Sequence, residues 1–275
     1  MPLAPRPRAL VTGAASGLGR ALAVALASRG ARVLAADLDL EGARETAEQV
    51  TRAGGEGHAA EADVTQAADV ERLAREMDAR FGGVDFVANN AGVAVAGPVG
   101  VVPLEDWRWA VGVNLWGVVH GCHVFVPRMR AQGAGHILNV ASAAGLLSPP
   151  GLAPYNVTKA AVVSLSETLA GELYGSGVGV SVLCPTFFRT RIGESARAHG
   201  ESPKKALDAL MDRSKIQAPE VAELALCGCE RGDLFVLPHG DGRWLWRLKR
   251  LGPDRFAQQL QPRALGRVRR RAERG

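Results

Sequence analysis

Five short apolar runs alternate with longer helical stretches across the first 240 residues, and no other feature limits the fold so sharply. The runs are Ala9-Leu10-Val11, Val33-Leu34-Ala35-Ala36, Val84-Asp85-Phe86-Val87-Ala88, Ile137-Leu138-Asn139-Val140 and Val180-Ser181-Val182-Leu183. Between them lie Ala-, Glu- and Arg-rich segments at 17–29, 41–53, 66–81 and 104–131. Strands separated by helices of that length form βαβ units, with parallel strands covered by helices on both faces. The runs are nearly continuous in apolar character, as strands buried on both sides are. No solenoid-type repeat and no linker divide this region, so one doubly wound α/β domain is expected.

The 275 residues are 47% apolar and 22% charged, the ordinary balance of a soluble globular enzyme. No apolar run approaches the eighteen or more residues of a membrane span. Met1–Arg8 lacks the apolar core of a secretory signal. Cysteines 122, 184, 227 and 229 show no metal-type spacing, and Cys227 and Cys229 read as small buried hydrophobes on one helix. A reduced cytoplasm is the expected compartment. From Arg243 onward there are eleven basic and two acidic residues, a balance of +9. Subtracting that from the whole-chain +5 leaves −4 for the body, so the high pI belongs to the tail. A basic nucleic-acid-binding body is not supported.

Thr12-Gly13-Ala14-Ala15-Ser16-Gly17-Leu18-Gly19 joins the first strand to the first helix. Glycines there permit a tight turn and close backbone approach to a pyrophosphate, and the helix N-terminus turns free N–H groups toward it. Asp37 ends the second strand, where a carboxylate accepts hydrogen bonds from adenosine ribose hydroxyls and repels a 2′-phosphate. Ser16 and Leu38 offer no charge to hold such a phosphate. NAD is therefore expected in preference to NADP. Taken alone, Asp37 also reads as a loop carboxylate that starts a helix.

Tyr155 and Lys159 stand four apart in a helical run, so their side chains share one face. With two tyrosines and five lysines in the chain, this spacing should arise by chance only about 0.04 times. A free tyrosine has a pKa near 10, and a nearby lysine charge is expected to move it toward neutrality. Such a pair suits withdrawal of a proton from an alcohol or its return to a carbonyl oxygen.

With these residues in place, the chain resembles the short-chain dehydrogenase/reductase family over residues 8–238. The resemblance implies a seven-stranded, Rossmann-like parallel sheet with helices on both faces, and a family domain at 1–242 followed by an extension at 243–275. It assigns Gly13, Ser16, Gly17, Leu18, Gly19 and Asp37 to the dinucleotide, and Asp63-Val64 to its adenine ring. Asn89-Asn90-Ala91-Gly92 resembles the family's Asn-Asn-Ala-Gly, which steadies the central sheet and flanks the cofactor. Asn114 corresponds to an asparagine that supports a proton-relay water. Ser142, thirteen residues before Tyr155, has the spacing of the family's catalytic serine. Pro185 and Thr190 resemble a Pro-Gly-x-x-x-Thr element that holds the nicotinamide; Phe188 is counted with them, and Thr186 replaces the glycine. Singly, these residues also read as turn formers, a strand-end cap or a solvated helix residue.

The resemblance implies that Tyr155 is the acid/base for alcohol–ketone interconversion, that Ser142 positions the reacting oxygen, and that Lys159 holds the nicotinamide ribose. A non-catalytic dinucleotide sensor or scaffold is the alternative, and an epimerase or dehydratase ranks behind it. Val93, Ala94, Leu146, Leu147, Pro149, Pro150, Leu152, Phe187, Phe188 and Met211 are candidate pocket residues, pointing to a hydrophobic alcohol or ketone. Arg189 and Arg191 could meet an anionic group, and 191–217 is expected to be a lid. A homodimer or homotetramer is expected through 104–131, with Trp107, Trp109 and Trp116, and 154–175. In the tail, Trp244, Leu248 and Leu251 form a predicted apolar helical face, with Arg243, Arg247 and Arg250 on another. Docking of 243–260 on the body is expected ahead of membrane contact, with 263–275 mobile.

Overall fold

The computed structural model of the chain describes residues 3–186, 196–199 and 216–260. In chain order the first half contains β1 (Arg8–Thr12), α1 (Gly17–Ala27), β2 (Arg32–Asp37), α2 (Leu40–Arg52), β3 (Glu56–Glu61), α3 (Ala67–Phe81), β4 (Phe86–Asn89) and β5 (Val95–Ala96). Then come α4 (Leu104–Val111), a π-helical turn (Gly112–Trp116), α5 (Gly117–Gln132), β6 (Gly135–Val140), α6 (Ala143–Leu147), α7 (Ala153–Glu172) and β7 (Val178–Leu183). The chain continues with β8 (Arg197–Ala198), α8 (Ala218–Arg231), β9 (Phe235–Val236), α9 (Gly240–Leu251), α10 (Pro253–Arg255) and a final π-helical turn (Phe256–Leu260).

Seven strands form one sheet in the order β3-β2-β1-β4-β6-β7-β9, and every neighbouring pair is parallel. Successive side chains of a strand point to opposite faces. Leu10, Leu34, Val87, Ile137 and Val182 accordingly enter the core beneath α3, α5 and α7. Their neighbours Val11, Val33, Ala88, Leu138 and Leu183 enter a second core beneath α1 and α8. Both faces are dry, which explains the loss of polar alternation. The five strands expected from sequence are all present. The two not singled out there, β3 and β9, are the sheet's edges. An edge strand has one neighbour and little burial, and β3 (Glu-Gly-His-Ala-Ala-Glu) buries only Ala60, so it carries no apolar run.

The helix expected as continuous over 104–131 is broken by the π-helical turn at Gly112–Trp116. Such a turn holds one extra residue and commonly marks a functional position; here it contains the buried Asn114. The whole segment Leu104–Gln132 is long and apolar enough to cross a membrane, with mean hydropathy 1.3 over its best window. Val118, Cys122, Phe125 and Met129 instead lie in the core, as in a buried helix of a globular domain.

Polar stitches join the central strands. Asn89 Nδ2 donates to Asn139 Oδ1 at 2.8 Å, and Asn139 Nδ2 donates to Ser166 Oγ of α7 at 3.0 Å. Helix α5 can lie this close only because Gly121 lacks a side chain: a Cβ there would sit 2.0 Å from Asn89 Oδ1. Gly121→Ala should therefore destabilise the protein by about 1–3 kcal/mol despite alanine's better helix propensity. Urea unfolding of the variant checks this, and an unchanged midpoint would contradict the packing described.

Candidate active site

The carboxyl ends of β1, β4, β6 and β7 lie side by side, and the strand order reverses between β1 and β4. Open α/β sheets bind ligands in such a crevice. On the β1 side, Gly13 adopts φ +66°, and a Cβ there would lie 2.7 Å from Ala91 Cα. A Cβ on Gly19 would fall 2.0 Å from the Gly13 carbonyl oxygen. Ser16 precedes α1 in an extended conformation without capping it through its side chain, so the first-turn amides of Gly17 and Leu18 face the loop. A backbone cradle with a helix N-terminus behind it fits a pyrophosphate.

Asp37 lies at the end of β2 and accepts the Ala15 amide at 2.9 Å and the Asp39 amide at 3.0 Å. It thus ties the glycine loop to the strand that would meet the ribose. Leu38, Glu61, Asp63, Asp69 and Arg72 line a depression beyond it. Asp63 accepts the Thr65 amide at 2.9 Å, and the carbonyl of the buried Val64 pairs with His120 Nδ1 at 2.9 Å. The residues expected at the adenine end are brought together.

On the β4 side, Asn90 Nδ2 donates to the carbonyls of Thr12 and Gly13 at 2.8 and 3.1 Å. Asn114 braces the following loop, accepting the Val93 amide at 2.8 Å and donating to the Val93 carbonyl at 2.9 Å and Thr158 Oγ1 at 3.2 Å. A Cβ added to Gly92 would lie 3.3 Å from Asn114 Oδ1 and 3.4 Å from Lys159 Nζ. Asn114 and Lys159 therefore both border the Cα of Gly92. Thr158, unremarked in the sequence, also donates to the Tyr155 carbonyl at 2.9 Å and locks the turn of α7 that carries Tyr155 and Lys159. Its place between Tyr155 and Lys159 was the signal available.

Ser142 follows β6 and caps α6, accepting the Ala144 amide at 3.1 Å. The strand-end cap and the residue expected to be the catalytic serine are thus one and the same, and its hydroxyl holds the Tyr155 phenol down in pKa. Lys159 is fully buried, donates to the Val140 carbonyl at 2.8 Å, and places Nζ 5.8 Å from the Tyr155 ring centroid. The expected lowering of the phenol pKa by lysine is not what the protein's own groups produce. Burial pushes Tyr155 up, and the Ser142 hydrogen bond offsets only part of that. Burial also pushes Lys159 down to about 8, against an ordinary 10.5, so its charge is itself destabilised. Cys184 beside them is raised to about 12, chiefly by burial, and stays a thiol.

Pro185 follows β7, and its carbonyl accepts the Ala143 amide at 2.8 Å. Thr190 and Phe188 lie outside the described residues, as do Phe187, Arg189, Arg191, Met211 and residues 263–275. Of the expected lid, only 196–199 and 216–217 are described. There β8 pairs with β5, and Arg197 reaches Asp106 at 2.5 Å while lying 3.9 Å over Trp109. Ala94, Leu146 and Leu152 are buried rather than lining an open pocket, whereas Val93 and Pro149 are half-buried and Pro150 is exposed at the rim.

The residue that replaces the expected glycine, Thr186, is held from the C-terminal side. Its amide donates to His239 Nδ1 at 3.2 Å. Its methyl leaves room only for glycine at 242, where a Cβ would lie 2.7 Å away. Lys249 Nζ donates to the Leu146 carbonyl at 2.6 Å, satisfying the end of α6. Helix α9 therefore grips both the short helix that Ser142 starts and the loop after Pro185. No motif in the sequence pointed to His239 or Lys249.

A glycine-rich loop before a helix N-terminus and a Ser-Tyr-Lys group thus lie along one crevice at the carboxyl edge of the sheet. Residues 7–201 match the family model described as short chain dehydrogenase, and the chain belongs to that family. It is 38% identical over 190 residues to the probable oxidoreductase EphD of Mycobacterium tuberculosis, covering 69% of this chain but only 32% of that protein. The chain thus spans about a third of the length of the first curated relatives it matches. It is 35% identical over 233 residues to the putative oxidoreductase SadH of the same species, covering 83% of this chain and 84% of the relative. Among solved structures, a short-chain dehydrogenase/reductase of Burkholderia phymatum in complex with NAD superposes with a TM-score of 0.84 at 36% identity. That match covers 90% of this chain and 95% of the other.

A lysine depressed from 10.5 to about 8 binds fewer protons folded than unfolded across that window, so this group adds stability as pH rises through it. Below pH 8 its burial cost is present in full. Lys159→Met should exceed the parent in stability by about 1–3 kcal/mol at pH 7, with the gap closing toward pH 10. Urea unfolding across pH measures the difference; a less stable variant at pH 7 would contradict this account.

Proposed function

We propose that this chain is an NAD-dependent oxidoreductase that interconverts a hydrophobic secondary alcohol and its ketone. The observation that carries the reading is the convergence of Ser142, Tyr155 and the buried Lys159 at the carboxyl edge of the sheet, beside the cradle at Gly13–Gly19. Bound in that cradle, a nicotinamide dinucleotide supplies the hydride acceptor or donor. Gly13, Ser16–Gly19, Asp37, Asp63, Val64, Asn90–Gly92 and Pro185 are the residues that would hold it.

Tyr155 takes the hydroxyl proton in the oxidising direction and returns it in the reducing one. Ser142 orients the same oxygen toward the phenol. Lys159 is fixed at the Val140 carbonyl, with two further ammonium donors for ribose hydroxyls and for passing the proton toward Asn114. Because burial raises the phenol, alcohol oxidation gains rate with rising pH as Tyr155 ionises. The Asp37 carboxylate and the relative crystallised with NAD support NAD over NADP. The apolar rim at Val93, Leu147 and Pro149 supports a hydrophobic substrate.

Self-association through α4–α5 and α7 belongs to the same proposal. Trp107 and Trp109 pack on Val95, Val102 and Ala110, but Trp116 is 53% exposed and Val157 on α7 is 54% exposed. Apolar surface of that kind on two helices suits burial against a second copy. The buried free thiols Cys122, Cys184 and Cys229 suit a reducing compartment such as the cytoplasm.

Tyr155→Phe should reduce turnover by roughly 10²–10⁴-fold while NAD binding is kept. NADH absorbance with a panel of secondary alcohols and ketones reads the rate, and protein fluorescence reads binding. Parent-level rate in the variant sinks the mechanism. A parent that binds NAD tightly yet turns over nothing on the panel supports a sensor instead. Trp116→Glu should shift an oligomeric parent toward monomer in sedimentation velocity, and a monomeric parent at micromolar concentration rejects the assembly.

A further inference from the structure

We propose that the outer face of α9 docks this protein on an anionic lipid surface. Gly242, Leu245, Trp246 and Lys249 follow the i, i+3, i+4, i+7 spacing of one helical face, and that face is turned to the body. Gly242 packs on Thr186, the Trp246 ring lies 4.9 Å from that of Phe235, and Lys249 holds the Leu146 carbonyl. These contacts fix the helix's rotation. Arg243, Trp244, Arg247 and Leu251 consequently share the opposite face. Trp244 is 63% exposed and Leu251 is 87% exposed. Arg243 and Arg247 are exposed as well, and among the described residues neither guanidinium has an acidic partner.

The chemistry of this face selects its partner. An indole is amphipathic and settles at the headgroup level of a bilayer, and a guanidinium binds phosphate through paired N–H donors. Leu251, beside Trp244, needs an apolar environment that a bilayer's acyl boundary supplies and a nucleic-acid backbone does not. Charge is arranged to match. Residues 243–260 hold five basic and one acidic side chain, a balance of +4, against −4 for the body that precedes them, so an anionic surface attracts this segment and repels the body. Two exposed apolar side chains provide little area for insertion. The attachment is thus peripheral and mainly electrostatic, and it weakens as salt rises. Because α9 grips α6, docking sets the rim at Leu147–Pro150, the proposed substrate entrance, near the lipid; only this entrance rests on the proposed redox function.

Co-sedimentation of the full chain tests the proposal without turnover, so failure here leaves the redox reading intact, and the reverse also holds. The parent should bind vesicles of phosphatidylglycerol mixed with phosphatidylcholine, release with added salt, and ignore pure phosphatidylcholine. Arg243→Glu with Arg247→Glu should weaken binding by about tenfold or more. Trp244→Ser should remove most of the blue shift in tryptophan emission that vesicles induce. Since Trp244 is exposed, this variant decides the matter if the double charge reversal folds poorly. Equal binding to neutral vesicles, or parent-like behaviour of the helix variants, overturns the proposal. So does binding to duplex DNA without binding to vesicles. Loss of binding only on deleting 261–275 also overturns it, by placing the contact beyond α9.

Discussion

Thr12, at the end of β1, accepts the amides of Asn90 and Ala91 through one hydroxyl, at 3.0 and 3.2 Å, and donates to the Ala88 carbonyl at 3.3 Å. That hydroxyl joins the two strands between which the sheet changes direction. Asn90 returns the contact by bonding the Thr12 and Gly13 carbonyls. Gly13 then rests on Ala91, and Gly92 on the same loop separates Asn114 from Lys159. The glycine loop after β1 is therefore linked by direct contacts, through the loop after β4, to Asn114 and Lys159. A shift at Thr12 would move both loops.

The electrostatics of the site run against a simple pairwise picture. A lysine four residues from a tyrosine suggests a lowered phenol pKa, yet both groups lie where charge is disfavoured. Desolvation is the largest influence on each: it raises Tyr155 and depresses Lys159. Burying an ammonium costs stability that an apolar side chain would not. The fold tolerates this cost by supplying the Val140 carbonyl as an acceptor and the Ser142 hydroxyl as a partner for the phenol.

The C-terminal helix extends the same logic beyond residues 7–201, where the family model matches. The sequence places Trp244, Leu248 and Leu251 on one apolar face. The protein uses a different one: Trp246 and Lys249 point inward, and Trp244 and Leu251 point out. Two faces of the helix offer aromatic and aliphatic groups, and periodicity counts both. The deciding factor is local. Phe235 on β9 offers a ring to Trp246, and the end of α6 offers an unsatisfied carbonyl to Lys249.

The sequence by itself determined the parallel, doubly covered sheet, because strands dry on both faces must be apolar throughout and the helices between them are long. It also determined the glycine cradle and the Tyr155–Lys159 pair, since turn geometry and helical spacing are local. Edge strands β3 and β9 were illegible, because one-sided pairing demands no apolar run. So was the π-helical turn that sets Asn114, which depends on contacts with Val93 and Thr158 from elsewhere in the chain. Tertiary structure alone decided the protonation balance of Tyr155 and Lys159, because desolvation depends on everything packed around a group and not on its neighbour in sequence. It also decided which side of α9 faces the body, since a helix buries whichever face its neighbours can satisfy.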